Sequence, residues 1–123
     1  MTETITLYRP VGAVELQLIA DTDYAAFPPR LPEQPIFYPV MNEAYARQIA
    51  KDWNSRINES KLGFVTRFAV RTDVVNSYNR EVVGAKSHEE LWVPAEELGA
   101  FNKAIVGKIE IIAKFKNDEE VDV

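Results

Sequence analysis

Phe64-Val65-Thr66-Arg67-Phe68-Ala69-Val70 alternates without interruption. Phe64, Thr66, Phe68 and Val70 fall on one side, and Val65, Arg67 and Ala69 on the other. A period of two in β-forming residues reads as a strand. A second such run closes the chain, with Ile109, Ile111, Ala113 and Phe115 set against Glu110, Ile112 and Lys114. Between the two lie one helical turn near 73–78, strands at 81–85 and 89–93 around Lys86-Ser87-His88, a short helix started by Pro94, and a break at Gly107. Helices do not alternate regularly with strands in this half. That pattern predicts an α+β fold with a mixed, mostly antiparallel or split sheet.

Working outward toward the N-terminus, Ile5-Thr6-Leu7-Tyr8-Arg9 predicts a strand closed by Pro10. Residues 13–20 predict a short helix with Val14, Leu18 and Ile19 on one face. Residues 28–35 carry four prolines, so they form a stiff, extended surface loop around Arg30. Such a loop suits a binding rim or a plain connector. Ile36-Phe37-Tyr38-Pro39-Val40 reads as a short strand at an edge or bulge. The clearest helix is 43–53, capped by Asn42, with Tyr45, Ala46, Ile49, Ala50 and Trp53 as one continuous stripe. That stripe is expected to be buried on the sheet carrying Phe64, Phe68, Ile109 and Ile111. A polar loop spans Asn54 to Lys61. The sum is about six strands and three or four short helices.

The 123 residues fit a single domain, taken as 1–116, with 117–123 as an acidic, frayed tail. Apolar types make up 46% of the chain, which supplies one core and argues against disorder. With 14 basic and 19 acidic residues the net charge is −5, so the field that drives non-specific nucleic-acid binding is missing. The sequence holds no cysteine and one histidine, His88. That excludes disulfide frameworks, thiolate metal sites and cysteine nucleophiles. The N-terminus lacks the pattern of a secretory signal, and no apolar run approaches the ~18 residues of a spanning segment, so the expected setting is cytoplasmic, away from membranes. The glycines stand apart, and no phosphate loop or hydrolase elbow is present.

Three local features could carry chemistry. Tyr8-Arg9 ends the first strand, and an arginine there can fork onto a phosphate or carboxylate, or pair with a protein acid. Phe37-Tyr38 precedes the strongest helix; these rings can stack on a planar ligand or pack the sheet. In 88–93, strand alternation sends Leu91 and Val93 inward and His88, Glu90 and Trp92 to the opposite face. Glu90 between an imidazole and an indole is either a functional carboxylate or a solvated one near a sheet edge.

The order of these elements resembles ADP-ribosyltransferase-like domains: strand with Tyr8-Arg9, helix, aromatic strand with Phe37-Tyr38, helix ending in Trp53, late strand with Glu90. Leu7-Tyr8-Arg9-Pro10-Val11-Gly12, Phe27-Pro28-Pro29-Arg30-Leu31-Pro32, Phe37-Tyr38-Pro39-Val40 and Glu90-Leu91-Trp92-Val93-Pro94-Ala95-Glu96-Glu97-Leu98 also resemble small bacterial proteins labelled ADP-ribosylation/crystallin J1. The resemblance implies an NAD- or nucleotide-binding protein. Glu90 would be the catalytic carboxylate, and Tyr8, Arg9, Tyr38 and His88 would contact the cofactor. Where such transferases often carry Glu-x-Glu or Gln-x-Glu, positions 88–90 here read His-x-Glu. Nothing matches the acidic magnesium motifs of the crystallin J1 glycohydrolases, so hydrolase chemistry is not implied. The alternative is a non-catalytic binding or regulatory module with a protein partner, which the acidic charge and Pro-rich loop favour.

Overall fold

The opening strand, β1 (Thr4–Gly12), runs two residues past Pro10. The computed structural model describes residues 3–55, 61–84 and 88–123. In it β1 pairs antiparallel with β3 (Leu62–Arg71), and Pro10 lies opposite Val65. Pro10 does not end the strand because its missing N–H is on the side away from β3. Tyr8, two residues earlier, uses that side to exchange backbone hydrogen bonds of 3.0 and 2.7 Å with Val40. Residues two apart in a strand direct their backbone groups alike, and proline is tolerated where no ladder partner waits.

Beyond β3 the sheet continues through β6 (Ile105–Lys116) to β7 (Glu119–Val121), in the order β1-β3-β6-β7. A second sheet has the order β2-β5-β4, from β2 (Ile36–Phe37), β5 (Glu89–Pro94) and β4 (Asn79–Val82). Every strand pair among the described residues is antiparallel. Val40 joins the two sheets, bridging to Tyr8 on one side and Glu90 on the other. Helices among the described residues include α1 (Ala13–Ala20), α2 (Glu43–Ile49), a four-residue helix Thr72–Val75, and Leu98–Lys103 after the 3₁₀ turn Ala95–Glu97. The fold is α+β with a split antiparallel sheet, as predicted, with seven strands among the described residues where about six were expected. No helix among the described residues is long and apolar enough to cross a membrane.

The alternation of β3 sorts the interior into two clusters. Phe64, Phe68 and Val70 join Leu7, Val11, Phe37, Leu91, Val93 and Phe101 on one face. Val65 joins Val40, Tyr45, Ala46, Ala50, Ala113 and Phe115 on the other. Full burial of each large side chain contributes about 1.5–3 kcal/mol before entropy is counted. Phe27 inserts between Phe37 and Phe68, with ring centroids 5.1 and 4.8 Å away, and so anchors the start of the proline loop.

Several expectations change for identifiable reasons. Ile109 and Ile111 do not share a face with Ala113 and Phe115. The β3–β6 register shifts between Val65 and Thr66, leaving Ile112 as an extra residue that reverses the alternation. A second shift, between Arg67 and Ala69, spans Gly107 at φ 83°, so Gly107 bends the strand instead of preceding it. Helix α2 accordingly packs on Val65, Ala113 and Phe115, not on the face of Phe64 and Ile109. Its stripe fails at Trp53, which is 63% exposed. From Ala50 to Asn54 the helix widens into a π-helical turn, which moves later side chains off the helical stripe. On α1 only Ile19 is buried, whereas Val14 and Leu18 are exposed.

The acidic tail, expected to fray, folds back as β7. Asn117 and Asp118 both adopt positive φ, 48° and 73°, as a two-residue hairpin turn between twisted strands requires. Arg47 Nη1 donates to Glu120 across 3.2 Å. The strand expected at 81–85 begins at Asn79 and pairs through Val82. Residues 85–87 and most of the polar loop expected at 54–61, namely 56–60, lie outside the described residues, as do residues 1–2.

Candidate functional site

A groove of about 890 Å³ opens where the two sheets part. Its position follows from the seam. Among the described residues Val40 bridges to both β1 and β5, and beyond it Pro10 has no N–H to extend the pairing with β1. One wall comes from α1, with Val14 and Leu18, and another from Arg30 and Leu31 of the proline loop. Trp53 on the π-helical turn closes a further side.

Arg9 lies on the side of β1 that carries Leu7 and Val11 and is only 7% exposed. Its guanidinium sits 4.6 Å from the centre of the Phe37 ring. Nε donates to Glu15 Oε2 at 2.6 Å and Nη2 to Glu15 Oε1 at 3.0 Å. This fork-to-fork pair neutralises a charge that would otherwise be costly to bury. Glu15 stands in the first turn of α1, where the helix macrodipole favours a carboxylate.

Arg30 differs. Its Nε donates to the Ile36 carbonyl at 3.2 Å. It forms no ion pair among the described residues. Partial burial, then the nearby charge of Arg9, lower its pKa from the ordinary arginine value. Tyr38, also at the groove, is 41% exposed and tilts against Trp92 with ring centroids 6.4 Å apart.

Glu90 is held by two donors. Tyr45 Oη donates to Oε2 at 2.7 Å, and Trp92 Nε1 donates to Oε1 at 3.1 Å. Burial, followed by the bond to Glu90 and its charge, pushes the Tyr45 phenol well above its ordinary value. Tyr45 therefore stays a donor throughout the neutral range. His88 stacks on Tyr45 with centroids 4.2 Å apart and planes 5° from parallel.

Of the residues singled out from sequence, Arg9, Tyr38 and Glu90 line one groove. Tyr8 and His88 do not belong to its lining. Tyr8 follows the opposite parity of β1 and packs on the smaller cluster, while His88 rests on Tyr45. Three lining or supporting residues escaped sequence reading. Glu15 gave no sequence signal of its own, and the turn from β1 into α1 brings it under Arg9. Tyr45 and Trp53 were assigned to the core. A phenol on a face of alanine and isoleucine is itself a signal, because a buried hydroxyl needs a partner. Among the described residues no three metal-ligating side chains cluster. No protein-family model, curated protein or solved structure matches this chain.

Proposed function

We propose that the groove binds a nucleotide-like ligand, with NAD as the leading candidate, and that Glu90 faces its ribose. The observation that carries this reading is the convergence of Arg9, Tyr38 and Glu90 on one groove. Tyr38 offers an exposed ring for a planar base, and the arginine-bearing wall suits phosphate. Glu90, oriented by Tyr45 and Trp92, is an acceptor for ribose hydroxyls. In ADP-ribosyl transfer the nicotinamide–ribose C–N bond breaks and the electron pair leaves with nicotinamide. The ribose carbon gains positive charge until an acceptor nucleophile bonds to it and gives up its proton. A fixed carboxylate stabilises that charge where it develops.

Calorimetry with NAD, ADP-ribose and nicotinamide, paired with an NAD-consumption assay, tests the reading. The expected results are saturable binding and turnover, with Glu90→Gln lowering turnover by about 10²–10³-fold while the fold is kept. No binding of any of the three by folded protein overturns it. Binding without turnover favours the second reading, a non-catalytic module. That reading has its own support in the exposed apolar rim of Val14, Leu18, Leu31 and Trp53 around the groove.

A further inference from the structure

We infer that Arg30, rather than Arg9, is the anion receptor of this groove and takes the diphosphate of its ligand. The inference deepens the nucleotide reading and rests on the same groove. Both arginines line it, yet their donors are differently occupied. Arg9 commits Nε and Nη2 to Glu15. Arg30 commits only Nε, to a neutral carbonyl. Its two terminal nitrogens make no hydrogen bond among the described residues, and they form the planar fork that suits phosphate oxygens.

The receptor is prebuilt. Phe27, three residues before Arg30, is buried and exchanges two 3.0 Å hydrogen bonds with the Asn102 side chain. Beyond Arg30, Gln34 N donates to the Leu31 carbonyl at 2.9 Å, and Leu31 N donates to Gln34 Oε1 at 3.1 Å. Ala95 N then donates to the Pro35 carbonyl at 2.9 Å. Prolines at 28, 29, 32 and 35 stiffen the intervening chain. Little ordering entropy is left to lose when a ligand arrives. An oxyanion there also relieves the repulsion between two neighbouring guanidiniums that Glu15 only partly offsets. The exposed Tyr38 and Trp53 rings on the same groove leave space for the non-anionic parts of the ligand.

The test uses the full chain with three probes: pyrophosphate, adenosine and ADP-ribose, each followed by calorimetry and by tryptophan fluorescence. Arg30→Gln is expected to weaken pyrophosphate and ADP-ribose on the order of 10- to 100-fold, the effect of removing a charge-assisted hydrogen bond, and to leave adenosine unchanged. Arg30→Lys is expected to recover only part of the loss, because an ammonium lacks the fork. Unchanged melting temperatures establish that both variants are folded. Equal affinity of Arg30→Gln and the parent for both anionic probes overturns the inference. Pyrophosphate binding that depends on Arg30, without binding of ADP-ribose or NAD, upholds the receptor and refutes the nucleotide reading. ADP-ribose binding indifferent to Arg30→Gln does the reverse. Binding of none of the probes overturns both.

Discussion

Replacing Gly63 with alanine sets the sharpest demand on the contact between sheet and helix. Gly63 lies on the α2 side of β3, opposite Gly12 of β1. An alanine Cβ would fall 2.2 Å from the Ala50 carbonyl oxygen and 3.0 Å from both its carbon and Asn54 Cβ. Ordinary contact starts at 3.4 Å, so the π-helical turn must retreat by about 1 Å, and the nearest obstacle is backbone that cannot rotate aside. Overpacking of this kind costs about 1–3 kcal/mol. Alanine regains about 0.5–1 kcal/mol through reduced unfolded-state freedom. A net loss of about 1–2 kcal/mol is expected, read as a lower guanidinium midpoint with an unchanged slope. The displaced turn carries Trp53 and Asn54, which line the groove, so tryptophan emission and ligand affinity should shift with it. A Gly63→Ala protein as stable as the parent, with the same emission, would refute the close approach.

Trp53→Ala is expected to cost under about 1 kcal/mol in denaturant unfolding, against about 3–5 kcal/mol for a buried tryptophan, because the indole is 63% exposed. A loss above about 2 kcal/mol would return Trp53 to the core. Tyr45 gives an alkaline signature. Its phenol ionises in the unfolded chain near the ordinary value of 10 and above that in the fold. The stability tied to the protonated phenol, through its burial and then its bond to Glu90, is therefore fully present below pH 10 and is lost as pH rises toward the folded value, by at most about 1.4 kcal/mol per pH unit. Tyr45→Phe should flatten the fall in stability above pH 10 relative to the parent, and parallel curves for the two would contradict the assignment.

What could be read from sequence was local. The period-two runs of β3 and β5 put Leu91 and Val93 inside and Glu90 on the other face because strand alternation depends only on neighbouring residues. Asn42 declared the start of α2, and its side chain accepts from Tyr45 N at 2.7 Å. The errors fall where a distant segment decides. Ile112 looks like any alternating residue, and only pairing with β3 makes it the extra one. The widening after Ile49 leaves no mark in hydrophobic spacing, so Trp53 was assigned to the buried stripe. At the site, Arg9, Tyr38 and Glu90 were legible as chemistry-bearing residues on strands or strand ends. The Arg9–Glu15 fork was not, since it needs the path of the chain through Gly12 into α1.

The prolines connect these two levels. Read locally, Pro10 closed β1 too early, while Pro39 only placed the strand expected at 36–40 at an edge or bulge. In the fold the same two residues remove donors on either side of one seam. Pro10 cannot donate beyond the Tyr8–Val40 exchange, and Pro39 cannot donate toward β5 between the Phe37–Val93 pair and the Val40 bridge. On the β5 side pairing still continues past Pro39, since Leu91 N donates to the Pro39 carbonyl at 2.9 Å and Met41 N to the Glu89 carbonyl at 3.0 Å, whereas toward β1 the backbone exchange is that of Val40 with Tyr8. A free N–H at position 10 could extend the pairing of β1 with this segment and draw together the walls that carry Arg9 and Glu90. The groove opens beside Pro10, where β1 has no donor to offer, while Leu7, Phe37, Leu91 and Val93, fully buried, keep the two sheets joined.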